Sequence, residues 1–120
     1  MSDKQKFPAA LATQVAVELI TRMAPACERI CFAGSLRRRK AEVGDVELVF
    51  CPRFESVVDP TDLFGGRVLA NQADAAIAAL EKDGTLVRRA NINGSETFGE
   101  KIKLMRHVAS GVPIDLFSTR

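Results

Sequence analysis

The chain has 120 residues, 47% hydrophobic and 27% charged, which is enough for one compact domain and too short for two full cores. The formal net charge of +2 carries little information about partners, although Arg37, Arg38, Arg39 and Lys40 form a consecutive basic run. This composition excludes an intrinsically disordered chain, and no apolar stretch approaches the roughly 20 residues that a membrane-spanning helix needs.

Tryptophan and tyrosine are absent, so aromatic packing falls to the seven phenylalanines. The three cysteines, Cys27, Cys31 and Cys51, and the single histidine, His107, do not meet the ligand pattern of a structural zinc site. An odd cysteine count without a signal peptide predicts reduced thiols in a cytoplasmic setting, packed in or near the core.

In chain order, the first six residues are polar and predicted to fray. From Pro8 to about Pro25 a helix is expected. Leu11, Val15, Leu19 and Met23 recur every four residues, and Ala16 and Ile20 widen the stripe. Arg29 to Ala33 reads as a short buried strand broken by Gly34-Ser35. After the basic turn and Gly44, Asp45 to Cys51 reads as a strand. Val46, Leu48 and Phe50 share one face, and Asp45, Glu47 and Val49 share the other.

Residues 53–64 read as a loop. A helix is expected from about Gly66 to Lys82, with Leu69, Ala73, Ala76, Ile77 and Leu80 inward and Gly84 as its C-terminal cap. Thr85 to Arg89 is a predicted strand, and residues 91–94 a turn. Lys101 to Val108 and Val112 to Phe117 are predicted strands joined by the hairpin dipeptide Ser110-Gly111. This order predicts an α/β (α+β) domain, a mixed sheet with helices packed mainly on one face.

Three features carry chemistry. Asp45 and Glu47, two apart on a strand, point to the same side with α-carbons roughly 6.5 Å apart. They suit one hard cation or a bridge between two, and equally an ordinary acidic surface. Gly34-Ser35 follows a strand and opens a helical turn, where backbone N–H groups can bind phosphate oxygens. Arg37 and Arg38 follow as fork-shaped donors to phosphate. Asp115 lies between Ile114 and Leu116 with opposite parity; a charge in an apolar strand wants a partner, either a structural arginine or a metal shared with Asp45 and Glu47.

The stretch Phe32-Ala33-Gly34-Ser35-Leu36-Arg37-Arg38, followed by Val43-Gly44-Asp45-Val46-Glu47, resembles the signature of the polymerase-β-like nucleotidyltransferases, polymerase X branch. The closing Gly111-Val112-Pro113-Ile114-Asp115-Leu116-Phe117 resembles the strand that bears that family's third carboxylate. The Asp62-Leu63-Phe64-Gly65 loop and the Gly99-Glu100-Lys101-Ile102-Lys103 strand are similar to small phage and bacterial members. The likeness covers about residues 26–118.

The resemblance implies a palm-type domain. Asp45, Glu47 and Asp115 would be catalytic and hold Mg2+, with Mn2+ as a substitute. The first two would bind both ions, and Asp115 the catalytic one. Gly34, Ser35, Arg37, Arg38 and Gly44 would receive a nucleoside triphosphate. The acceptor would be the 3′-hydroxyl of a DNA primer on a template.

Two positions depart from the family pattern: Glu47 stands where many relatives have aspartate, and Pro113 where a basic residue often orients the third carboxylate. The chain stops five residues after Asp115, so a homodimer or a companion domain is expected to complete the grip on the acceptor. Transfer to a tRNA, protein or small-molecule acceptor, or a non-catalytic nucleotide- or nucleic-acid-binding module, are the alternatives. Lys101 and Lys103 are candidates for phosphate contact. His107 is read as a surface or satisfied core residue rather than a general base.

Overall fold

The computed structural model describes residues 5–34, 38–90 and 94–119. In chain order they form β1 (Phe7–Pro8), α1 (Ala9–Met23), β2 (Cys27–Ala33), β3 (Glu42–Val43), β4 (Val46–Pro52), β5 (Phe54–Val58), β6 (Arg67–Asn71), α2 (Gln72–Lys82), β7 (Leu86–Arg88), β8 (Ile102–His107) and β9 (Pro113–Ser118). The main sheet has five strands in the order β2-β4-β9-β8-β7. Only β4 and β9 run parallel; the other neighbours are antiparallel, so the sheet is mixed. Of the six residues expected to fray, 1–4 lie outside the described residues, and Gln5 and Lys6 are exposed.

Both helices pack on one face of this sheet. The inward residues of α1 (Ala12, Val15, Ala16, Leu19, Met23) and of α2 (Ala73, Ile77, Leu80) form one core with Val46, Leu48, Phe50, Met105, Ile114 and Leu116. Those six strand residues are the alternate side chains of β4, β8 and β9, as period-two patterning demands. Full burial of each larger aliphatic or aromatic side chain contributes about 1.5–3 kcal/mol. The polar partners of that alternation, Glu47 on β4 and Asp115 on β9, are therefore driven to the opposite face.

Three expectations are corrected. The segment Arg29 to Ala33 forms the predicted strand, but β2 is the sheet's outer strand, and Phe32 is 37% exposed rather than buried. Residues 53–64 are not all loop, because Phe54–Val58 pairs antiparallel with Arg67–Asn71 in a separate two-stranded ribbon. The second helix consequently starts at Gln72, not near Gly66, and Leu69 is 71% exposed on the ribbon. Leu69 and Ala73 happen to stand four apart, so strand and helix residues fused into one apparent stripe. The true start is marked by Asn71, whose side chain accepts a hydrogen bond from the backbone N–H of Asp74 at 3.0 Å.

The end of α2 follows its sequence. Gly84 adopts φ +86°, the left-handed conformation that glycine enters without penalty. The N–H of Gly84 reaches the carbonyl of Glu81, and that of Thr85 the carbonyl of Leu80, closing a Schellman cap. At the front of the chain, β1 pairs with β3, and Ala9 donates to the carbonyl of Ala41. This clamps the far end of the basic segment beside the start of α1.

Candidate metal centre

The register of two parallel strands builds the site. In β4 and β9, Glu47 stands directly beside Asp115, flanked on each strand by buried residues: Val46 and Leu48 on one, Ile114 and Leu116 on the other. Asp45 precedes β4 by one residue, just after the buried Gly44. One oxygen from each of Asp45, Glu47 and Asp115 lies within 4.8 Å of the other two, and all three residues are half-buried. The sheet thus brings together the three carboxylates that the sequence singles out.

Three carboxylates this close repel, at on the order of 1–4 kcal/mol per pair for effective dielectrics between 80 and 20. A divalent cation reverses that cost. All three donors are hard oxygens, the chemistry that Mg2+ and Mn2+ select. Oxygens within 4.8 Å of one another are near enough to converge on one such ion, whose trans oxygens stand about 4.2 Å apart, or on a pair about 3.5–4 Å apart. The donor set therefore fits such cations.

Asp115 has a further partner. The Arg89 guanidinium donates from Nη2 to Asp115 Oδ1 at 2.5 Å, with side-chain exposures of 18% and 13%. Its Nη1 donates to the backbone carbonyls of Met105 (2.6 Å) and Ile114 (3.1 Å). The two readings of Asp115 are not exclusive: it pairs with an arginine and also stands in the acidic cluster. Sequence reasoning anticipated a partner arginine without finding which one. Arg89 lies 26 residues upstream, just past β7, and only the β7-β8-β9 pairing carries it to Asp115.

Gly34 closes the cluster on the β2 side. Its φ is +66°, and a Cβ built there would lie 2.4 Å from Glu47 Oε2 and 2.7 Å from Glu47 Cδ. The backbone approach that glycine permits is thus toward the Glu47 carboxylate. The Arg38 N–H donates to the Gly34 carbonyl at 3.1 Å. Ser35 and Arg37, two of the predicted phosphate ligands, lie outside the described residues. Arg38 is exposed on the same segment.

One phosphate candidate is corrected. Lys103 is 5% exposed on the helix-facing side of β8, where it donates to the Gly99 carbonyl (2.8 Å) and pairs with Asp74 (3.2 Å). Its neighbour Leu104, not Lys103, pairs with Asp115 and shares the carboxylate face, so the one-residue parity of the strand removes this lysine from the site. Lys101 is exposed just before β8.

His107 is 6% exposed, bonded at Nδ1 to Ser110 Oγ (2.7 Å) and at Nε2 to Glu18 Oε1 (3.0 Å), a satisfied residue of the helix side as expected. Cys27 is buried, and burial foremost, reinforced by Cys51, pushes its thiol above the ordinary range, whereas Cys31 on the outer strand is exposed, which corrects the expectation that all three cysteines pack in or near the core. Among the described residues no helix is long and apolar enough to cross a membrane.

Compared with protein-family models the chain matches none, and comparison with curated proteins returns no match.

Proposed function

We propose that this chain is a nucleotidyltransferase domain of the palm type, which transfers a nucleotide from a nucleoside triphosphate to a 3′-hydroxyl with release of pyrophosphate. The observation that carries this reading is the convergence of Asp45, Glu47 and Asp115 within 4.8 Å on one face of a mixed sheet. Support comes from Gly34, whose backbone borders the Glu47 carboxylate, and from the basic residues that follow it in sequence.

Asp45, Glu47 and Asp115 would hold two Mg2+ or Mn2+ ions, which when bound neutralise charge on the transferring phosphoryl group and clamp the entering and leaving oxygens. Asp45 and Glu47, adjacent on one strand, would serve both ions. Asp115, arriving from the neighbouring strand, would serve the ion beside the acceptor and favour loss of the hydroxyl proton. Gly34, Ser35, Arg37, Arg38 and Gly44 would receive the triphosphate, with the turn's backbone N–H groups and the arginine forks meeting phosphate oxygens. In the reaction a bond forms from the acceptor oxygen to the α-phosphorus, the bond to the bridging oxygen breaks, and pyrophosphate carries away the charge.

A DNA primer on its template is the acceptor this reading favours, with a second copy or a companion domain supplying further grip. Primer extension with α-labelled nucleotides and Mg2+ or Mn2+, with and without template, tests it. Extension that follows the template supports a polymerase, and extension without it a terminal transferase. Failure to extend DNA, with label passing to a tRNA or protein instead, assigns a different acceptor to the same centre.

A further inference from the structure

We infer that Arg89 is a positioning residue for the metal centre, which fixes the Asp115 carboxylate in the orientation that cation binding requires; this rests on the reading of Asp45, Glu47 and Asp115 as metal ligands. Three observations lead to it. Both terminal nitrogens of the guanidinium are engaged: Nη1 donates to two backbone carbonyls, Met105 and Ile114, and Nη2 to Asp115 Oδ1. Those carbonyls belong to residues paired across β8 and β9, so the arginine is referenced to the rigid sheet rather than to a loop. With Oδ1 engaged, rotation of the carboxylate is restricted, and its other oxygen is the one left to face a cation.

A contrasting role is simple charge balance, in which Arg89 only offsets part of the negative cluster. The two roles predict opposite signs. Removing a cation that merely offsets charge leaves three repelling carboxylates and tightens binding of a dication. Removing a positioning residue weakens binding despite the added negative charge, because the ligand is no longer pre-oriented; losses of 10–100-fold are typical of such partners, about tenfold being the minimum expected here. Lysine separates the roles further. It keeps the charge but lacks the planar fork that spans two carbonyls and a carboxylate.

The experiment is Mn2+ binding to the full chain, read from the electron paramagnetic resonance signal of the free ion. It compares wild type, Asp45→Asn, Asp115→Asn, Arg89→Met, Arg89→Lys, and Arg89→Lys combined with Asp115→Asn, each checked for folding by thermal melting. Both Arg89 variants are expected to lose at least about tenfold in Mn2+ affinity. The loss from Arg89→Lys should vanish in the Asp115→Asn background, since the arginine acts through that carboxylate. Unchanged binding in Arg89→Lys, or tighter binding in Arg89→Met, overturns the inference while leaving the metal centre standing. Wild type that binds Mn2+ no better than Asp45→Asn overturns the metal centre itself, and the inference with it. Should Arg89→Met fail to fold, Arg89→Lys and the double variant decide the matter alone.

Discussion

Gly34 and Glu47 compete for one space, and the glycine yields it. A methyl group at residue 34 would stand 2.4 Å from Glu47 Oε2, at a backbone φ of +66° that side chains disfavour. The left-handed backbone alone costs about 1–2 kcal/mol for a non-glycine residue. The Glu47 carboxylate is the flexible end of its side chain, so it would give way rather than the backbone. Gly34→Ala should therefore lower stability only modestly, by about 1–2 kcal/mol, yet weaken Mn2+ binding at least about tenfold, because on the proposed reading the displaced group is a ligand. Melting curves beside Mn2+ titrations check this; unaltered binding would mean that Glu47 is not held where the cation needs it.

Much at this scale was legible in the sequence. The i, i+2 spacing of Asp45 and Glu47 and the opposite parity of Asp115 give the right face for all three. Arg89 was not legible, because its role depends on strand pairing across 26 residues, which no local pattern encodes. Lys103 failed for the complementary reason: nearness in sequence to the carboxylate strand says nothing about which face of β8 a side chain takes.

At the level of elements, local signals succeeded wherever one residue type has a single use. Gly84 ends α2, Ser110-Gly111 turns β8 into β9, with Gly111 at φ +78°, and the four-residue stripe of α1 lies against the core. They failed at β5 and β6, where the apolar run Val68-Leu69-Ala70 satisfies both helical and strand periodicities over so short a span. The junction of the two helices also sets an acid limit to stability. Asp83, at the C-terminal cap of α2, accepts from the Thr85 hydroxyl and backbone N–H and from Arg22 at the end of α1. The Thr85 hydroxyl foremost, then Arg22, holds its carboxyl down at about 2.

A carboxyl depressed in the folded state contributes stability that is present above its unfolded value of about 4 and is lost as pH falls toward its folded value. Asp83→Asn should therefore flatten the decline of the melting temperature between about pH 4 and pH 2, leaving the neutral-pH activity in place. A variant whose acid limb runs parallel to that of wild type in this window would remove Asp83 from the account.

On the scale of the whole molecule, the sheet separates two tasks. One face is buried against both helices and supplies the cohesion. The other carries the carboxylates at the parallel junction of β4 and β9, where strands distant in sequence bring Glu47 and Asp115 side by side. The mixed sheet with helices on one face agrees with the class expected from element order, though the ribbon of β5 and β6 was not foreseen.

The most direct test of the central claim is transfer of α-labelled nucleotide and release of pyrophosphate in Mg2+, comparing wild type with folded Asp45→Asn, Glu47→Gln and Asp115→Asn. The account predicts pyrophosphate release by wild type, and a fall of at least about 100-fold in each variant, with combined variants little worse than single ones because the carboxylates act as a unit. Transfer that persists in all three variants, or wild type that releases no pyrophosphate with any acceptor offered, would contradict it.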